Sequence, residues 1–422
     1  MKGKPDGLEK RTIFIHPMTY TGARAMAAVL QSLGLDGRVI GPSDEKTHEL
    51  GSMHASGEEC YPLIITIGDM LRLFFVQGMK PEETAILMPT SNGPCRFGQY
   101  APFLRKVLGE VGLEDVLILS PTCEDGYGSF ENYVGRVKKP AWLGIVAADI
   151  LRKVLLMHRP YEVNRGDAEK LFDSSLDLVC ETIIGTGKHP EKCLKGLMGC
   201  LEKVRDDFAA MPVRKEKRPL IGVVGEIFCR LNRYSNMDVI KKVEELGGEA
   251  WQSDVAEWIW YTDRENKRIL KRLGKTFSRE MIGAKMKYLY QKRAEHALYS
   301  IFKDTFSGRE EPGDVSDVLK LASPYLKQGG ALGEMILSVG KSVYYMKKGA
   351  LGVIDISPFS CMNGIVSESI YYKLSADLGG FPIKIFYFDE THRDIDFDLE
   401  IFMEIARDFG NRERVKPISR VS

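Results

Sequence analysis

The chain has 422 residues, 44% hydrophobic and 28% charged, with a formal net charge of +1. That length suits two or three domains, and the composition is that of a globular protein, not a disordered or fibrous one. With 59 Lys and Arg against 58 Asp and Glu, no chain-wide field recruits nucleic acid or an anionic membrane, and neither is expected as a partner.

Residues 1–11 are polar and no apolar run of signal-peptide type follows them. Short apolar runs then recur at 12–16, 38–40, 84–88 and 115–120, most of them stopped by Pro or Gly. Helical periodicity occupies 22–33 and 63–76. Such alternation predicts a parallel sheet covered on both faces. From 140 to 210 the pattern is helical. Its most apolar stretch, 141–157, is interrupted by Asp149, Arg152 and Lys153 and reads as a buried helix, not a membrane span. A cytoplasmic protein is expected. Residues 211–219 are charged and bracketed by prolines, as a linker would be. The strand pattern restarts at 220–224, 249–253, 352–356 and 383–388. Helices are expected at 237–246 and 397–409, and a long helical block at 255–346.

The predicted fold class is α/β: two open, mostly parallel lobes with an inserted helical region. The expected division is an N-terminal lobe at 1–139, a helical segment and linker at 140–218, and a second lobe at 219–422 with a long helical insertion. Ligands of open parallel sheets bind outside the carboxyl ends of the strands.

Five of the eight cysteines lie just past a strand end or at a helix start: Cys60, Cys95, Cys123, Cys229 and Cys361. In a cytoplasmic chain of this size such thiols point to metal or catalysis sooner than to disulfides. Their spacing matches no zinc finger or ferredoxin run, so local context carries the reading of an iron–sulfur site. A helix N-terminus lowers a thiol pKa, and Cys60 and Cys361 each precede a helical pattern. Gly93 and Gly98 bracket Cys95 and Arg96, so the backbone there can approach a bulky ligand. Arg96 could offset the charge of a cluster or hold a carboxylate or phosphate; a plain turn with a structural Cys is the alternative. Cys229 shares a post-strand loop with Glu226, Arg230, Asn232, Arg233 and Asn236. The loop reads as recognition, with Arg230 a candidate for anion contact, or as a solvated helix cap.

Cys180, Cys193 and Cys200 fall in the helical segment and read as packing residues. The seven histidines do not cluster. His16 ends the first strand, and His392 lies in an acidic loop after the last. There is no His-Glu-x-x-His zinc motif, phosphate-binding P-loop, Gly-x-Gly-x-x-Gly after the first strand, or Gly-x-Ser-x-Gly elbow. Nucleotide energy is therefore expected to enter through a partner.

Three segments carry a family likeness: Glu59-Cys60-Tyr61-Pro62 with Ile67-Gly68-Asp69; Met88-Pro89-Thr90 with Gly93-Pro94-Cys95-Arg96-Phe97-Gly98-Gln99-Tyr100; and Pro358-Phe359-Ser360-Cys361-Met362. They resemble the 2-hydroxyacyl-CoA dehydratase and double-cubane cluster superfamily, in the branch found alone or as the C-terminal part of acyl-CoA dehydratase activase-like proteins. The resemblance covers most of the chain, and residues 93–100 are its most specific part.

It implies α/β lobes with an iron–sulfur cluster in the crevice between them. The cluster would be a 4Fe-4S cubane with three Cys ligands per subunit, or a double cubane with six thiolates. Electrons would come from a separate ATP-dependent iron–sulfur activase, and an acyl-CoA or other small molecule would be the substrate. A homodimer is one assembly it allows. Cys60, Cys95 and Cys361 match the dehydratase ligand pattern, and Cys123 and Cys229 exceed it. That excess leaves open a fourth ligand with electron transfer alone, or a double cubane whose sixth ligand is unidentified. The expected function is an oxygen-sensitive reductase- or dehydratase-like component or an electron relay. The alternatives are a non-redox CoA- or nucleotide-binding module and a zinc-stabilised scaffold subunit.

Overall fold

A computed structural model describes residues 7–90, 93–121, 133–328, 333–391 and 394–415. The chain opens with β1 (Thr12–Ile15), α1 (Tyr20–Ser32), β2 (Asp36–Val39), α2 (Glu45–Ser52), α3 (Tyr61–Phe75), β3 (Thr84–Leu87), α4 (Tyr100–Glu110) and β4 (Leu117–Leu119). Three long helices follow: α5 (Val134–His158), α6 (Asp167–Thr186) and α7 (Pro190–Ala210). Then come β5 (Leu220–Gly225), α8 (Ile227–Leu231), α9 (Val239–Glu245), β6 (Glu249–Gln252), α10 (Val255–Arg272) and α11 (Arg279–Ser300). The last elements are α12 (Val315–Ala322), α13 (Met335–Lys347), β7 (Gly352–Pro358), α14 (Met362–Asp377), β8 (Ile383–Phe388) and α15 (Asp396–Val415). Among the described residues no helix is long and apolar enough to cross a membrane.

The strands form two four-stranded sheets, ordered β2-β1-β3-β4 and β6-β5-β7-β8, and every pairing within them is parallel. This is the α/β class expected, and the same strand order is used twice. The central strands β3, β5 and β7 are buried at every residue and mostly apolar, as expected where helices cover both faces of a sheet.

The chain divides into two compact units. One comprises Met1–Arg152, Glu169–Met211 and Asp254–Phe306; the other comprises Lys153–Ala168, Pro212–Ser253 and Ser307–Ser422. The units interleave, so they do not follow the expected boundaries at 139 and 218, and the helical block expected in the second lobe divides between them. The reason lies in α5. Buried Asp149 accepts from the Val255 amide at 3.2 Å and the Ala256 amide at 2.9 Å, capping α10. Trp142 of α5 donates its indole N–H to the Gln291 carbonyl of α11 at 3.1 Å. These contacts bring α10 and α11 into the first unit.

Within the first unit α2 lies close against α3. A Cβ on Gly68 would stand 1.8 Å from the Thr47 carbonyl oxygen, and one on Gly51 would stand 2.0 Å from that of Ile64. Backbone faces backbone at both positions, so no rotamer change can relieve the clash. Gly68→Ala is therefore expected to cost at least the ~1–3 kcal/mol typical of overpacking, read as a lowered denaturation midpoint. Buried Asp69, one residue along, holds the same junction. It accepts from Ser43 Oγ at 2.7 Å and Thr47 Oγ1 at 2.6 Å, and His16 Nε2, just past β1, lies 2.9 Å from its Oδ2.

Candidate functional site

In each sheet the chain runs from the first strand to one neighbour and then crosses to the other. The switch points therefore fall between β1 and β3 and between β5 and β7. Open parallel sheets bind ligands beyond the carboxyl ends of such strands. His16 and the segment leading to Cys95 follow β1 and β3; Glu226 to Arg230 and Phe359 to Cys361 follow β5 and β7.

In the first unit Cys60 is the N-cap residue of α3, and Cys95 is the N-cap of a 3-10 turn, Arg96–Gln99, that leads into α4. Neither caps with its side chain. The two segments are tied together. Arg96 donates to the Glu58 carbonyl at 2.5 Å, and Cys60 Sγ lies 2.8 Å from the Tyr100 hydroxyl. Cys95 is exposed and Cys60 half-buried. Arg96 thus has a structural role beside whatever charge it offers. Among the described residues a Cβ on Gly93 would meet nothing within 4 Å, so their packing does not demand glycine there.

In the second unit Cys361 is the N-cap of α14, again without a side-chain cap bond. Ser360 before it has φ +59°, a left-handed conformation that sets the entry to the helix at some cost in strain. Burial and then the charge of Glu226 push the Cys361 thiol up to about 12, while the amides of Asn363 and Gly364 pull the other way. A proton must leave this sulfur when it takes a metal. Cys229 is completely buried within α8.

Acids converge on the same switch point. Glu226 caps α8, accepting from the amides of Phe228 at 3.0 Å and Cys229 at 2.9 Å. Glu334 accepts from the Ile227 amide at 3.2 Å. Burial and then the neighbouring charge of Glu226 raise Glu334 to about 8, against the opposing pull of Arg230. Asp355, within β7, accepts from Ser357 at 2.9 Å and from Tyr371. Burial lifts it to about 6 although both hydrogen bonds and Arg230 favour the carboxylate. Gly225 (φ +118°) is required here, since a Cβ would stand 2.1 Å from the Ile356 carbonyl oxygen. Arg230 is 5% exposed, and among the described residues its Nε has no hydrogen-bond partner; nor has the buried Oδ1 of Asn363. The group can hold and move protons beside Cys361 and can orient a small polar ligand.

Sequence reasoning found Glu226 and Arg230 but missed Glu334, Asp355, Asn363 and Tyr371. The one available signal was an Asp inside the apolar run 352–356. Cys123 and His392 lie outside the described residues. Cys180, Cys193 and Cys200 are buried in α6 and α7, in line with packing. Among the described residues no three or more His, Cys, Asp or Glu side chains come together as a set of metal ligands. No family model matches the chain, and no curated protein matches it significantly.

Proposed function

We propose that this chain is a cytoplasmic, oxygen-sensitive iron–sulfur protein of an ATP-driven, low-potential reductive system. It receives electrons from a separate activase-type ATPase and acts as a reductase- or dehydratase-like component or as an electron relay. The observation that supports this reading most is a repeated one. Cys95 and Cys361 follow equivalent strands, β3 and β7, of two sheets with one strand order, and each stands at a helical N-terminus without a capping bond. Cys60 stands likewise at the start of α3, on a segment tied to that of Cys95.

Backbone amides at such positions favour a thiolate and can hydrogen-bond cluster sulfides; at Cys361 burial and the Glu226 charge outweigh them, so a metal must displace the proton there. Cys60, Cys95 and Cys361 are the proposed ligands. Cys229 fits less well, being wholly buried with its thiol turned to the Glu226 carboxylate; Cys123 is the further candidate. A bound cluster would supply low-potential one-electron transfer. The protein's own acids at Glu226, Glu334 and Asp355 would serve proton transfer near Cys361, and Arg230 would hold the anionic part of an acyl-CoA or other small substrate.

A second reading, a non-redox CoA- or nucleotide-binding module, is supported by buried Arg230, whose Nε has no hydrogen-bond partner among the described residues and could meet a ligand's phosphate or carboxylate. Iron, acid-labile sulfide and zinc per chain, measured on anaerobically purified protein, separate the two. About four iron with matching sulfide is expected for one cubane, and about eight for a double cubane. Stoichiometric zinc, or no iron even after anaerobic reconstitution, would overturn the proposal.

A further inference from the structure

The near-zero total charge conceals a concentrated basic region. Between residues 261 and 300 there are eleven Lys and Arg against four Asp and Glu, a net of +7, so the rest of the chain carries −6 of its total of +1. This region is most of the α10–α11 hairpin. One part of the hairpin is built into the first unit: Trp260 packs edge-on against Trp142 with centroids 5.1 Å apart, and Ala294 and Leu298 are buried.

The end where α10 turns into α11 is bare. Leu273 is 65% exposed and Phe277, in the turn, 95% exposed. Ile269 continues the apolar stripe up α10. Ile282, Met286 and Leu289, all exposed, continue it along α11 at helical spacing. Lys271, Arg272, Lys275 and Arg279 flank the two bulky residues in sequence. Lys275 in the turn pairs with Glu280 of α11 at a long 3.6 Å.

Exposed apolar area of this size marks an interaction surface, and its basic setting calls for an anionic occupant. A second copy that met this face with its own hairpin would present the same positive charge and be repelled. An acidic protein would need a cavity shaped to a protruding Leu and Phe, whereas a fluid bilayer needs none. We propose that the end of the α10–α11 hairpin binds an anionic lipid surface. Leu273 and Phe277 enter the acyl boundary, and the flanking Lys and Arg meet the headgroups. The sequence-wide charge argument against a membrane partner does not apply to a patch this local. The inference is independent of the iron–sulfur reading.

The test is sedimentation of the full chain with vesicles of phosphatidylcholine alone and with roughly one third phosphatidylglycerol. Binding at least about tenfold stronger to the anionic vesicles, weakening as salt rises to ~0.5 M, is expected. The Leu273→Asp/Phe277→Asp and Lys271→Glu/Arg272→Glu/Lys275→Glu variants should each lose at least about tenfold of it. Their circular dichroism should be unchanged, because these side chains are exposed. Ile365→Asp, on exposed apolar surface of α14, should bind as the parent does. Three results would overturn the proposal: equal binding to both vesicle types, undiminished binding by the double Asp variant, or a protein complex that requires Leu273 and Phe277 without any vesicle binding.

Discussion

Cys95→Ser protein, purified and reconstituted without oxygen, is expected to retain little of the parent's iron and to lose its visible absorption. Cys95 is exposed at the start of a 3-10 turn with no capping bond to its side chain, so serine should leave the fold intact while removing a sulfur ligand. The hard hydroxyl is a poor substitute for thiolate toward iron–sulfur clusters. Cys60→Ser should have the same effect, and its contact with Tyr100 is one that a serine hydroxyl can also make. Cys193→Ser is the control. It sits completely buried in α7, so it should lower stability and leave the iron content per folded chain unchanged. Iron and sulfide assays beside a thermal melt read both effects. Full iron in Cys95→Ser protein would remove that residue from the ligand set.

The second large effect is on stability. Glu311→Gln should destabilise the second unit by about 3–5 kcal/mol, the usual cost of leaving a buried charge without its partner. One carboxylate here serves two ammonium groups. Lys341 Nζ lies 2.5 Å from Glu311 Oε2, Lys153 pairs with Oε1, and Trp251 donates its indole N–H to Oε1 at 2.9 Å. Lys341 is completely buried and Lys153 5% exposed, so neither can take its charge back to water without unfolding. The cations also lie over aromatic faces, Lys153 at 5.1 Å from the Trp251 centroid and Lys341 at 5.4 Å from that of Tyr345. Denaturant unfolding followed by tryptophan fluorescence would report the loss.

The same site sets a pH dependence. Burial alone would raise the Glu311 carboxyl, but Lys153 and then Lys341 outweigh it and hold it down to about 2. Its folded pKa is thus depressed below the ordinary 4.5. The pair's contribution is therefore fully present above about pH 4.5 and is lost as pH falls toward 2. In Glu311→Gln protein that acid-limb loss should disappear. Equal acid sensitivity of parent and variant would show that other carboxylates govern the limb.

Most of the strands were legible in the sequence because they are short apolar runs, several of them stopped by Pro or Gly, as strands of a parallel sheet covered on both faces are. The thiol contexts were legible for a local reason as well. Cys60 before Pro62, and Cys95 between Gly93 and Gly98, declare a helix start and a turn within a few residues. What depends on residues far apart in the chain was not legible. Asp149 caps α10 across more than a hundred residues and so moves two helices out of the unit their position suggests. Arg96 reaches the Glu58 carbonyl, and Glu334 meets Glu226 and Arg230, through contacts that no local pattern encodes. The +7 of the hairpin was present in the letters, but only the folded chain shows Leu273 and Phe277 exposed beside it. Apolar periodicity and turn chemistry act over a few residues and can be read along the chain. Burial, charge pairing and the separation of polar groups from water arise from packing, and the tertiary structure alone decides them.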